Sequence, residues 1–245
     1  MITKNQIKYI QSLQLKKNRQ INNSFLVEGA KNVLELLDSD FEIESLYVTE
    51  PFYKENRLAL DKQNIPFEIV NESDLERMGT FATNNAAIAI VKTKENVELL
   101  AENELVLVLD DIRDPGNLGT IIRIADWYGL KKIICSENTV DVYNPKVIAA
   151  TMGSFIRIKL FYTALESYLE QKSNEFIAGA LMNGHSIYNL DLPKTGYIII
   201  GNESNGISKS VQAFVNQRIT IPKRGGAESL NAGIATAIIL DNFFR

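Results

Sequence analysis

The hydrophobic pattern changes character part-way along the chain. Up to about residue 92 the apolar positions come in short segments that alternate between helical and extended periods. Thr3-Lys4-Asn5-Gln6 has the form of a capping box, and Ile7, Ile10 and Leu13 follow at helical spacing, so a helix is predicted over 3–15 with a basic polar loop after it. Phe25-Leu26-Val27 predicts a short strand that breaks at Gly29. Residues 31–37 predict a helix, 43–49 a strand, and 51–63 a helix with Pro51 in its first turn. A strand, a short helix and a strand follow at 67–70, 72–78 and 87–91. This is an alternating α/β unit of about ninety residues, an ordinary domain size. The charged stretch 92–98 has no apolar period and marks a boundary, so domains are expected at 1–94 and 102–245.

Beyond the boundary the apolar runs become continuous, as in Leu105-Val106-Leu107-Val108-Leu109 and Tyr197-Ile198-Ile199-Ile200. Strands are predicted at 105–109, 132–135, 155–161, 176–181, 197–201 and 218–221, with helices at 118–128, 145–152 and 164–171, the first closed by Gly129. Strands apolar on both faces and separated by helices imply a parallel sheet covered on both sides. The closing segment predicts a strand, a Gly225-Gly226 loop and a helix, with Ser229 as the N-cap. Ala232, Ala235, Ala237, Ile238, Ile239 and Leu240 make that helix apolar on nearly every side, so it is expected to be buried.

Composition narrows the class. The 245 residues are 45% hydrophobic and 23% charged, room for one large domain or two ordinary ones. No apolar run reaches the roughly 18 residues of a membrane span, and the first residues lack a secretion signal, so a cytoplasmic protein without membrane contact is expected. One cysteine, Cys135, inside an apolar run, predicts a buried thiol; one Cys and one His cannot form a zinc shell, so no metal is expected. His185, in Asn183-Gly184-His185-Ser186, reads as a surface-loop residue. The net charge of −4 argues against indiscriminate coating of nucleic acid. Residues 1–27 nevertheless carry Lys4, Lys8, Lys16, Lys17 and Arg19 without an acidic residue: a solvated basic face, or a local phosphate-binding patch.

Three glycine-and-polar clusters fall at ends of predicted strands, where ligands bind in sheets of this kind. The first runs from Asp114 to Gly129: Asp114-Pro115-Gly116 predicts a turn, Asn117 the helix cap, and Arg123 lies between Ile122 and Ile124. A buried Arg there needs an anion, either a structural carboxylate or a phosphate, which suits the guanidinium fork. The second, Gly201-Asn202-Glu203-Ser204-Asn205-Gly206-Ile207-Ser208, nearly spells a phosphate-binding P-loop, but Ile207 stands where the lysine is required. What remains is a glycine turn holding Glu203, in a site role or a helix-capping one. The third is the closing segment itself, with Ser229 and Asn231. No histidine lies in any cluster, which leaves a Ser-His-Asp hydrolase poorly supported.

In this order the clusters resemble those of the SpoU (TrmH-like) RNA 2′-O-ribose methyltransferases of the SPOUT superfamily. The matching residues are Asn117, Gly119, Arg123, Ala125 and Gly129; then Gly201, Glu203, Gly206 and Ser208; then Pro222, Gly225, Gly226, Ser229, Leu230 and Asn231. Phe25-Leu26-Val27-Glu28-Gly29-Ala30-Lys31-Asn32-Val33 and Ile43-Glu44-Ser45-Leu46-Tyr47-Val48-Thr49-Glu50 resemble that family's substrate-binding domain. The resemblance implies an α/β protein: a C-terminal SPOUT parallel-sheet domain with a deep trefoil knot, after a small L30e-like RNA-binding domain. It implies S-adenosylmethionine as cofactor, held by Leu181, Gly201, Glu203, Gly206, Ile221, Ser229, Leu230 and Asn231. Catalysis is assigned to Arg123, Glu203, Ser229, Asn231 and Asn117, and RNA contact to Lys16, Lys17, Arg19 and Arg123. A homodimer is implied too, with Arg123 serving either its own chain's site or the partner's. The expected substrate is structured RNA, ribosomal before transfer RNA. The rivals are methylation of a base and a non-catalytic RNA-binding or ribosome-assembly protein on the same fold.

Overall fold

The computed structural model describes residues 2–62, 65–81 and 83–245. Met1, which opens the expected 1–94 domain, and Gln63, the last residue of the helix expected from Pro51, lie outside them. The chain forms two compact units, residues 1–95 with 141–156, and residues 96–140 with 157–245. Residues 141–156 therefore pack with the first unit, although the expected 102–245 range put them in the second.

In the first unit, α1 (Lys4–Ser12) starts at the expected capping box, Thr3 and Gln6 each bonding the other's backbone. The expected basic loop is instead a helix, α2 (Lys16–Asn22). Next come β1 (Ser24–Glu28), α3 (Ala30–Leu37), β2 (Ile43–Thr49), α4 (Glu50–Lys62), β3 (Phe67–Val70), α5 (Glu72–Met78) and β4 (Ala87–Lys92). The sheet order is β1-β4-β2-β3, with β4 antiparallel to both neighbours and β2 parallel to β3. Strand alternation sends Phe25, Val27, Ala89 and Val91 to one core, and Leu26, Ile88 and Ile90 to another under α1 and α5. The 141–156 segment, carrying α7 (Pro145–Thr151), closes the first core. Tyr143 and Phe155 lie with ring centres 4.5 and 6.2 Å from Phe25, and Ile148 is buried beside them. A strand was expected over 155–161; Ser154–Ile156 is a 3-10 turn instead, and the strand starts only at Lys159.

Arg19 explains why α2 forms without an apolar stripe. It is 3% exposed, and its guanidinium donates to the Asp141 carboxylate (2.7 and 3.0 Å) and to the carbonyls of Leu13 and Gln14. This corrects its assignment to RNA: four of the five guanidinium N–H groups bond within the fold and the residue is buried, which leaves it unavailable to a phosphate. Lys16 and Lys17 on the same helix are exposed and remain free to meet one. Asp141→Ala would leave a buried cation with carbonyl partners only. We expect a loss of roughly 2–3 kcal/mol in urea unfolding, and an unchanged midpoint would refute this role.

In the second unit, β5 (Leu105–Asp110), α6 (Pro115–Trp127), β6 (Lys132–Ser136), β7 (Lys159–Thr163), α8 (Leu165–Glu170), β8 (Ile177–Ser186), β9 (Gly196–Gly201), α9 (Lys209–Gln212), β10 (Gln217–Thr220) and α10 (Ala232–Phe244) follow in order. The sheet is parallel throughout, in the order β10-β8-β9-β5-β6-β7. The expected parallel sheet is thus found, because β5 and β9 are buried along nearly their whole lengths. Helix α9 was not expected. Nor was the extension of β8 through His185, which pairs with Ile219 of β10 and is not in a loop. Gly184 permits that pairing: a Cβ there would lie 2.5 Å from the Ile219 carbonyl carbon. Cys135 is buried as expected, and burial pushes its thiol pKa far up, leaving it inert.

Candidate functional site

Parallel strands put the carboxyl ends of β5, β9 and β10 on one side of the sheet, and the three glycine clusters leave from those ends. After β5 the chain turns and enters α6. The cap of α6 is Asp114, whose carboxylate accepts the Asn117 N–H at 2.8 Å, with Pro115 as the first helical residue. Asn117 is therefore not the cap that was expected. An Asp-Pro pair can open a helix as well as a turn, and here it opens the helix one turn earlier. The consequence matters for the site, because the Asn117 side chain is left free.

It is used to join the three clusters. Asn117 Nδ2 donates to Glu203 Oε1, and Asn117 Oδ1 accepts from Asn231 Nδ2 at 2.7 Å. Asn231 Oδ1 in turn accepts the N–H groups of Gly233 (3.0 Å) and Ile234 (3.3 Å), which makes Asn231 the cap of α10. The sequence expectation gave that cap to Ser229. Ser229 lies instead two residues upstream, on an irregular segment exposed throughout residues 222–231, and is outside this hydrogen-bond chain. One amide thus ties together residues 86 and 114 positions apart in sequence.

The Glu203 loop is held by its backbone. Gly201 ends β9, and a Cβ there would stand 2.2 Å from the Gly206 carbonyl carbon and 2.3 Å from the Ile207 nitrogen. Only glycine fits beneath a chain that doubles back so closely. Gly206, at φ 66°, completes the turn. Buried Asp110, at the end of β5, accepts the Ser208 N–H at 2.7 Å, and Asn202 Nδ2 donates to the Asp111 carbonyl at 2.9 Å. The sequence reading missed Asp110, Asp111 and Asn202. The Asp114-Pro115 pair was legible, but as a turn rather than as the start of α6.

Arg123 is exposed on α6 rather than buried, and among the described residues it has no carboxylate partner. Of the two anions the sequence left open, a carboxylate or a phosphate, the carboxylate is therefore not found among the described residues. It lies six residues beyond Asn117, about 9 Å along the helix axis. Leu181 on β8 is half-buried against the core cluster that includes Ile199 and Ile207, Ile221 is half-buried just past β10, and Leu230 is exposed. Neither is α10 wholly buried: Ile234 is 53% exposed, and Trp127 on α6 is 85% exposed. Among the described residues no group of three or more His, Cys, Asp or Glu could hold a metal, and no helix is long and apolar enough to cross a membrane.

Comparison with known proteins gives matches over both units. The model of the SpoU rRNA methylase family matches residues 104–241, and that of the MRM3-like substrate binding domain residues 4–89. The 23S rRNA (guanosine(2553)-2′-O)-methyltransferase RlmP of Bacillus subtilis is 31% identical over 242 residues, covering 97% of this chain and 95% of that protein. A TrmH-family protein from Porphyromonas gingivalis superimposes with a TM-score of 0.87 at 32% identity, over 99% of this chain and 98% of the other. An AdoMet-bound rRNA methyltransferase from Sinorhizobium meliloti gives 0.85 at 28% identity, over 99% and 95%.

Proposed function

The chain belongs to the SpoU rRNA methylase family, and from that premise we propose that it transfers a methyl group from S-adenosylmethionine to a ribose 2′-hydroxyl of ribosomal RNA. The observation that carries the reading is the Asn231–Asn117–Glu203 hydrogen-bond chain, which draws three separate polar clusters into one place beyond the strand ends. A helix packed on a sheet has no structural need of three linked polar side chains there. A site that orients a sugar and a cofactor does.

The residues present fit that cofactor. The tight Gly201–Gly206 turn and the exposed segment 222–231 are linked through Asn117, which bonds both Glu203 and Asn231, and Leu181, Ile221 and Leu230 offer apolar surface for an adenine. When bound, S-adenosylmethionine supplies an electrophilic sulfonium methyl. Gly201, Gly206, Ile221 and Leu230 would hold it mainly through backbone groups, with Ser229 and Asn231 toward the ribose. Arg123 is a poor base, because a guanidinium barely deprotonates. Its part is to bind the phosphate beside the acceptor sugar and to stabilise the oxygen as its proton leaves, with that phosphate as the proton's first stop. Asn117 and Glu203 keep the surrounding polar groups in fixed directions.

The finer architecture is part of the same proposal. Membership of the SpoU family supports a deep knot in the C-terminal segment. The mixed sheet of the first unit supports an L30e-like RNA-binding domain, with Lys16 and Lys17 meeting phosphate. Trp127, Ile234 and Phe244 are exposed apolar groups on α6 and α10, which a second copy would cover, bringing Arg123 to the partner's site. A cytoplasmic location fits a ribosomal substrate. The test is incubation with ribosomal RNA and methyl-labelled S-adenosylmethionine, followed by mass spectrometry of the nucleosides. A 2′-O-methyl nucleoside is expected; a base-methylated product, or none, would overturn the reading.

A further inference from the structure

We propose that Asn202 is a positioning residue for methyl transfer, acting through Glu203; this rests on the reading of the site given above. Asn202 immediately precedes Glu203, and its single amide satisfies three backbone groups. Oδ1 accepts the N–H of Ser204 at 2.9 Å and of Asn205 at 3.2 Å, which folds the loop into a turn around Glu203. Nδ2 reaches out of the loop to the Asp111 carbonyl at 2.9 Å, and so fixes that turn to the segment between β5 and α6. The backbone of Asn202 is also paired in both directions with Gly206, at 3.1 and 2.8 Å, closing the loop behind it.

The anchor is itself rigid. Asp111 holds a left-handed conformation at φ 60°, its N–H bonded to Ser136 Oγ at 2.8 Å and its carboxylate to Arg113 at 2.8 Å. Three residues on, Asp114 caps α6 and orients Asn117, the partner of Glu203. Glu203 therefore sits on the loop after β9 and Asn117 in the first turn of α6, and the Asn202 tether to Asp111 links that loop to the segment that leads into the helix. The Asp110–Ser208 bond, at the far end of the loop, holds the loop's exit but does not constrain Glu203. Without the Nδ2 tether the loop keeps its turn yet loses its registration against α6, and Glu203 loses its fixed direction toward Asn117.

Asn202→Asp separates these roles, because it retains an acceptor for Ser204 and Asn205 but puts a carboxylate oxygen where a donor must face the Asp111 carbonyl. We expect kcat to fall about 10- to 100-fold, the effect of a displaced site group, with S-adenosylmethionine affinity by calorimetry changed less than about threefold. The decisive measurement is a double-mutant cycle with Glu203→Gln. If Asn202 acts through Glu203, the double variant is no slower than Glu203→Gln alone. Should Asn202→Asp misfold, Asn202→Ser supplies the same cycle. The proposal is overturned by wild-type turnover in the folded variant, by rate losses that multiply in the double variant, or by a loss confined to cofactor affinity. Absence of any methyl product from the unaltered protein is a different outcome, and it sinks the assignment of the reaction itself.

Discussion

Arg123→Ala is expected to slow methyl transfer by about a hundred- to a thousandfold while leaving S-adenosylmethionine binding and thermal stability close to those of the unaltered protein. The separation follows from its position. Arg123 is exposed on α6 and, among the described residues, makes no ion pair, so nothing in the fold of one chain depends on its charge. A solvated arginine that stabilised only the protein would be worth at most about 1 kcal/mol, less than tenfold. A guanidinium that meets the developing alkoxide and its phosphate is worth far more. Arg123→Lys should recover little of the rate, because an ammonium cannot bridge two oxygens in the same plane. Mixing Arg123→Ala with Glu203→Gln subunits tests whether the group acts across a dimer. In that case random exchange restores about a quarter of the unaltered activity, since half of the dimers are mixed and each has one intact site. Near-normal methylation by Arg123→Ala would remove the residue from the mechanism.

Gly201→Ala should abolish methyl transfer by deforming the loop proposed to hold the cofactor. The added Cβ would lie 2.2 Å from the Gly206 carbonyl carbon, inside any permitted contact, and the obstacle is backbone that no rotamer change can move aside. Gly201 is also in register with Asp110 on β5, so the strand cannot retreat without breaking the sheet. The loop must therefore rise. We expect a cost of about 1–3 kcal/mol in stability, the usual scale for overpacking, and loss of measurable S-adenosylmethionine binding. Gly225→Ala and Gly226→Ala are the matched controls. A Cβ at either meets nothing within 4 Å, so both should retain the folding midpoint of the unaltered chain. If Gly201→Ala bound the cofactor normally, the crossing of the loop over β9 would have no part in holding it.

Several elements were legible because one local signal sufficed. The capping box at Thr3, the strands at Phe67–Val70 and Ile43–Thr49, and the helix Glu72–Met78 all lie where their residues predict. The misplacements share another origin. α2 has no apolar stripe and owes its packing to Arg19, whose acceptor Asp141 is 122 residues away. The Asn183-Gly184-His185-Ser186 stretch looks like a turn locally but extends β8, because Gly184 lets β10 come within contact distance. At α6 and α10 the caps shifted by a few residues, since Asp114, Asn117, Ser229 and Asn231 are all competent caps and the choice belongs to what each side chain meets.

The sequence by itself determined the parallel sheet and the candidate clusters, because continuous apolar runs and glycine turns act over a few residues, within the reach of local sterics and solvation. It could also supply the types of side chain the site needs. The tertiary structure alone decided that Asn117 is released from capping to bond Glu203 and Asn231, that Asn202 is tied to Asp111, and that Arg19 is spent inside the fold while Arg123 is left open. Hydrogen bonds and burial are set by distances in space, and a chain's spacing does not fix which of its distant polar groups will be brought within 3 Å of one another.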